Sequence, residues 1–129
     1  MIAGKVWGQT ELIEANGALE FHRIEMNTGG VCSKHLHEFK WNGFYVESGS
    51  MLIRVWQKDY DLVDETVLVA GDYTKVKPGV YHQFECLEHT PPVFISIRWN
   101  SRAPFASINS VCPQTLPAII RSYAYLTVD

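Results

Sequence analysis

Cysteine, basic runs and long apolar segments are all scarce in this chain, and each scarcity removes a class of protein. Its three cysteines, Cys32, Cys86 and Cys112, stand far apart in 129 residues with no C-x-x-C spacing. An odd, sparse set is poor material for a disulfide framework, so all three read as free thiols, partly buried. No stretch approaches the roughly 20 apolar residues of a membrane-spanning helix. The opening segment, MIAGKVWGQTELIEANG, has neither the apolar h-region nor the small-residue cleavage site of a signal peptide. The expectation is a cytoplasmic protein without membrane contact. A net charge of -3 with no cluster of Lys and Arg argues against a nucleic-acid surface.

What is present is the composition of a soluble globular protein, 47% hydrophobic and 19% charged. The length suits one domain with a real core, spanning residues 1–129. Short runs rich in β-branched and aromatic residues recur between Gly, Pro, Asn and Asp turn signals, the texture of an all-β sandwich or barrel. Strands are predicted over Glu11–Glu14, Ala18–Met26, Cys32–Glu38, Gly43–Glu47, Met51–Trp56, Thr66–Val69, Tyr73–Val76, Tyr81–Cys86 and Val93–Trp99. The tail from about residue 104, broken by Pro113 and Pro117, ends in SYAYLTVD, which alternates like an edge strand and predicts a homodimer.

Chemistry concentrates in SKHLHEFKWNG, residues 33 to 43. Residues i and i+2 of a strand share a face, so His35 and His37 project together, about 6 to 7 Å apart along the chain. Such a pair can converge on one ion. The glycines at 29 and 49 frame it, and downstream stands GDYTKVKPGVYHQFEC, residues 71 to 86.

With these two segments the chain resembles the cupin superfamily. Gly29, His35, His37 and Gly49 fall on its first motif, with Asn42 where the family carries Glu. Gly71, Asp72, Pro78, Gly79 and His82 fall on its second, with Lys77 where Pro is common and Cys86 where the family has Asn. A narrower likeness, through Lys5, Trp7, Gly8, Glu11, Ser33, His37, Ser48 and Gly49, is to the cupin domain of type II phosphomannose isomerases. The resemblance implies a single-domain jelly-roll β-barrel holding a metal inside through His35, His37 and His82, with Asn42 as a further candidate ligand. If His82 faces inward, so do Val80, Phe84 and Cys86. Ser33, His35, His37 and Phe39, and then Asn42, Phe44, Val46 and Ser48, face the same interior.

Three neutral imidazoles suit Zn, Fe, Ni or Cu, whereas a carboxylate shifts preference toward Mn and Mg. The expected cofactor is one divalent transition metal: Zn, Fe, Ni or Mn. Asn42 can coordinate through its amide oxygen or turn away and donate a hydrogen bond. The inward list contains no carboxylate, so an aldose–ketose isomerase would need its base from Glu20, Glu25, Tyr73 or Lys75. Arg54 or Arg98, if inward, would anchor a carboxylate or phosphate. Phe44, Phe84 and Cys86 are the remaining candidates for substrate contact, and Trp41, Trp56 and Trp99 offer faces on which a sugar could stack.

Three readings follow for this chain and its small-molecule ligand. The first is a metal-dependent enzyme acting on a sugar phosphate or related polar molecule, the ion polarising a carbonyl. The second is an Fe(II) enzyme using oxygen, as a three-histidine site in thiol and diketone dioxygenases does. The third is a non-catalytic ligand-binding domain with a vestigial metal site.

Overall fold

The computed structural model describes residues 1–57 and 62–101. Among them nine strands and no helix occur: β1 (Ile2–Lys5), β2 (Gly8–Ala15), β3 (Leu19–Met26), β4 (Lys40–Ser48), β5 (Ser50–Trp56), β6 (Val63–Val69), β7 (Tyr73–Val76), β8 (Tyr81–Cys86) and β9 (Val93–Asn100). Every pairing is antiparallel. The strands form a six-stranded sheet, β1-β2-β3-β9-β4-β7, and a three-stranded sheet, β6-β5-β8. This is the all-β jelly roll expected from the sequence. The tail and its edge-strand reading, with Cys112 and the homodimer expectation that rests on the tail, lie outside the described residues.

The core follows from alternation. Ile24 and Met26 of β3, Phe44 and Val46 of β4, and Phe94 of β9 meet Met51 and Ile53 of β5, Leu68 of β6, and Phe84 and Cys86 of β8. Alternate residues of the larger sheet face the other way and build a second apolar layer from Leu19, Phe21, Ile95, Ile97 and Trp99, flanked by Trp41 and Tyr45. Apolar residues on both faces explain why β9 reads as a continuous run, VFISIRW, rather than as an alternating strand.

Two glycines are needed where they stand. Gly49 links β4 to β5, which belong to different sheets, and turns there at φ +72°, a region that side chains rarely adopt. Gly43 lies under Tyr73, where a Cβ would meet the phenol oxygen at 2.5 Å and Ile97 Cγ2 at 3.0 Å.

The predicted strand Cys32–Glu38 is not a strand. Its ladder pairing with β8 is reduced to isolated bridges, Val31 to Glu85 just before it and His35 to His82 within it, with a further bond from Cys32 N–H to Phe84 O at 3.1 Å. Four steps along this segment answer three along β8, so one extra residue bulges out between the bridges. Around that bulge the simple alternation breaks down: Cys32 is buried and Ser33 is exposed, yet both line the cavity that His35 and His37 border. Phe39, expected inside, is 50% exposed. Ser48, also expected inside, is exposed because the β4–β9 register shifts between Val46 and Ser48. The alternation expected for β8 holds: His82, Phe84 and Cys86 are buried and Tyr81 is exposed.

Candidate metal centre

His35 and His37 lie on the irregular segment before β4, and His82 on β8. Backbone bonds clamp the two pieces together: His35 N–H donates to His82 O at 3.0 Å, His82 N–H to His35 O at 2.8 Å, and Gly79 N–H to His37 O at 2.7 Å. The ring centroids of His35 lie 5.2 Å from those of His37 and 4.3 Å from those of His82. One nitrogen from each of the three rings falls within 4.8 Å of the others.

The tautomers of two rings are set by local bonds. Nδ1 of His35 lies 2.8 Å from Ser33 O, and Nδ1 of His82 lies 3.0 Å from Val80 O. A carbonyl can only accept, so each Nδ1 carries the hydrogen and each Nε2 keeps its lone pair. Nε2 of His82 and Nε2 of His37 are buried without a hydrogen-bond partner. Leaving such atoms unpaired costs free energy, which a shared cation would relieve. Burial pushes His37 down to about 4, helped by the nearby positive charge of Arg98. Burial likewise pushes His82 down to about 4. Both are therefore neutral at neutral pH, the form that ligates a metal. Three neutral imidazoles grouped this closely fit the donor set of a divalent transition metal.

Asn42, 3% exposed, stands beside them. Its Nδ2 donates to Ser96 Oγ at 2.9 Å, Ile97 O at 3.2 Å and Gly43 O at 3.3 Å. Two of these acceptors are carbonyls, so the amide cannot be reversed. The oxygen is the branch left for the histidines, and Asn42 opposes, weakly, the downward shift of His37.

His35, His37 and Asn42 line a cavity of about 430 Å³, while His82, fully buried, does not reach its wall. The other predicted contacts divide. Arg98 and Phe84 line the cavity; Phe44 and Cys86 do not. Phe44, fully buried, supports His82 from below at 6.0 Å between centroids, and Cys86 Sγ donates to Leu87 O at 3.1 Å within the core. Arg54 points to the outer face of β5, where it pairs with Glu85 at 3.1 Å and Glu65 at 3.6 Å. Its neighbours on β5, Ile53 and Val55, take the inner positions, so strand parity puts it outside.

None of the four candidate bases lines the cavity. Glu20 is held by Lys40 at 2.9 Å, which keeps its carboxyl below the usual range. Glu25 pairs with Arg23 at 2.7 Å, Lys75 covers the Trp41 ring, and Tyr73 overlies Gly43. The proposed stacking tryptophans are elsewhere too. Trp41 and Trp99 stack on each other in the outer apolar layer, and Trp56 lies under Lys34. Trp7 borders the cavity instead, edge-on to Phe84 at 5.3 Å.

Lys5, Thr10 and His22, like Trp7, Ile24 and Cys32, went unnoticed in the sequence as parts of this cavity. His22 Nε2 lies 3.3 Å from Arg98 Nη2, and its Nδ1 lies 3.3 Å from Thr10 Oγ1. Arginine can only donate, so Nε2 accepts and Nδ1–H donates to the threonine. Burial first, and then Arg98, lowers the pKa of His22. A signal was available, since His22 alternates with the buried Phe21 and lies two residues before the inward Ile24. Cys32 lines the cavity as well, with its thiol pushed up to about 11 by burial.

Comparison with known proteins agrees with this architecture. No curated protein sequence matches the chain. Among solved structures, KdgF from Halomonas sp. superposes with a TM-score of 0.63 at 18% identity, over 74% of this chain and 82% of that one. Bacillus subtilis oxalate decarboxylase, described with Mn(II) centres, superposes at 0.70 and 13% identity, over 85% of this chain and 34% of its own. The Cnp3 cupin domain of Schizosaccharomyces pombe gives 0.63 at 11% identity, over 71% and 64%. At such identities the likeness is one of fold. The Cupin_2 family, described as the cupin domain, matches residues 22–98, more than half of the chain and a span that includes both histidine segments. The chain belongs to the cupin family.

Proposed function

We propose that this cupin binds one divalent transition metal through His35, His37 and His82, with the Asn42 amide oxygen beside it, and acts on a small polar molecule of the sugar-phosphate kind. The observation that carries the reading is the pair of buried, unpartnered Nε2 atoms of His37 and His82, grouped with His35. A metal bound there would supply Lewis acidity, polarising a carbonyl oxygen of the bound molecule.

The chain's own residues supply the rest. Ser33 O and Val80 O orient two of the imidazoles. Trp7 and Phe84 offer an apolar wall, and Arg98 a positive charge beside the histidines. Four neutral donors would leave the ion its full positive charge, favouring Zn, Fe or Ni over Mn.

A second reading is an Fe(II) enzyme that uses oxygen. It is favoured by the cavity wall, which has no carboxylate among the described residues to serve as the base of an isomerase. Metal-dependent interconversion of mannose and fructose 6-phosphates supports the first reading, and iron-dependent oxygen uptake the second. Thermal unfolding with and without each metal tests the shared premise. A metal at 100 times its Kd should add about 2.7 kcal/mol of stability, an increment that His82→Gln removes. If no transition metal shifts the wild-type transition, both readings fail.

A further inference from the structure

Arg98 is held from one side only. Its Nη2 donates to His22 Nε2 at 3.3 Å, and its Nη1 lies a distant 3.9 Å from Glu20 Oε2, the oxygen that Lys40 already holds at 2.9 Å. Nε of Arg98 is buried with no partner. The guanidinium is therefore fixed in position and only weakly neutralised. It sits across the strand pair from Asn42, and its charge bears on His37 and His82 on one side and on His22 on the other. Lys5 borders the same cavity, and its charge also bears on His22. Both formal charges in the described wall are thus positive, and a bound divalent cation would add two more. Arg98 is partly buried and only weakly paired with Glu20, so an anion beside it would relieve unbalanced positive charge.

From this juxtaposition we infer that Lys5, Arg98 and the His22–Thr10 pair form an oxyanion subsite beside the histidines, and that the natural ligand is a small molecule carrying a carboxylate or phosphate. His22 and Thr10 act as positioning residues: neutral His22 accepts from Arg98 and so turns the guanidinium, while Thr10 fixes the ring that does so. The arginine's planar fork suits either oxyanion. A cavity of about 430 Å³ falls at the lower end of the roughly 300–1,000 Å³ found for small-molecule sites, which confines the ligand to metabolite size. The inference deepens the metal reading by naming the class of molecule that reaches the ion, but the subsite itself stands without the metal.

Titration calorimetry of the full chain with inorganic phosphate, with glycolate and with neutral glycerol, each with and without zinc, tests it. At least one anion should bind more tightly than glycerol by tenfold or more, and the tighter of the two names the class. Arg98→Gln should weaken that anion at least tenfold and Lys5→Gln about threefold, while zinc binding, measured separately, is retained. Lys5 is exposed on β1, so its variant keeps the test valid if Arg98→Gln fails to fold. His22→Phe should weaken the anion without touching zinc, and His22→Gln, which keeps an acceptor for Arg98, should recover part of the loss. Anion binding that needs Arg98 and Lys5 in a protein that takes no zinc would overturn the metal reading and leave this one standing. The subsite is refuted if neither anion outbinds glycerol, or if binding is unchanged in both Arg98→Gln and Lys5→Gln.

Discussion

Replacing Asn42 by Asp changes one NH2 group to oxygen and little else in shape. In the wild type that NH2 donates to Ser96 Oγ, Ile97 O and Gly43 O. An ionised Asp at position 42 would lose all three bonds and set a buried negative oxygen against two carbonyl oxygens. Protonation is the less costly outcome, because it restores one donor. The NH2 shares two hydrogens among its three acceptors, so one lost donor remains, at about 1 kcal/mol. Holding a proton at pH 7 on a group whose unfolded pKa is about 3.9 costs up to a further ~4 kcal/mol, falling to ~1.5 at pH 5. The sign follows: a folded-state pKa raised above the unfolded value penalises the fold above pH 3.9, so the variant recovers, relative to wild type, as the pH falls. Arg98 nearby would moderate the penalty by favouring the ionised form. Urea denaturation in the presence of a chelator at pH 7 and pH 5 measures it. Destabilisation should be about 1 to 5 kcal/mol at pH 7 and visibly smaller at pH 5. A variant within about 0.5 kcal/mol of wild type at both pH values would refute the assignment of the amide nitrogen to the wall.

Other expectations are as direct. Phe44→Ala empties a fully buried position among His82, Phe84 and Phe94 and should cost about 3–5 kcal/mol in denaturant titrations; a loss below about 1 would mean a looser core. Because His37 and His82 are pushed down to about 4, the unfolded chain takes up protons first. Metal-free stability should hold above pH 6.5 and decline as the pH falls toward 4, a slope that His37→Gln with His82→Gln flattens; equal slopes in both proteins would exclude these histidines as its source. Gly43→Ala forces a methyl group against Tyr73 and should destabilise by about 1–3 kcal/mol, part of which Tyr73→Phe restores in a double-mutant cycle. Arg54→Ala, on the outer face, should leave metal content unchanged, and lost metal would place that arginine's influence at the site after all.

The histidine pattern was legible because its chemistry is local: H-x-H, the glycines around it and the second segment ending at His82 survive any reading of the strands. The core was legible from alternation in β8 and from Phe44 and Val46 of β4. What escaped were features set by register. One bulged residue between Val31 and His35 brought Cys32 to the cavity beside Ser33, and the slip between Val46 and Ser48 exposed Ser48. The facing of Arg54 and Arg98 depended on which neighbours lay inside, and neither LIRVW nor ISIRW declares that, since β9 is buried on both faces. Lys5, Thr10 and His22 come from β1, β2 and β3 and reach one cavity only once those three strands pair. The role of Asn42 was undecidable from its identity alone; the carbonyls of Gly43 and Ile97 settle which way its amide turns.

The most direct test of a three-histidine centre is X-ray absorption at the metal edge of the zinc-loaded protein, together with His37→Ala and His82→Ala. One zinc per chain is expected, held by three imidazole nitrogens at about 2.0–2.1 Å, with occupancy lost in either variant. A sulfur shell near 2.3 Å, or zinc retained in full when His37 and His82 are each removed, would contradict it.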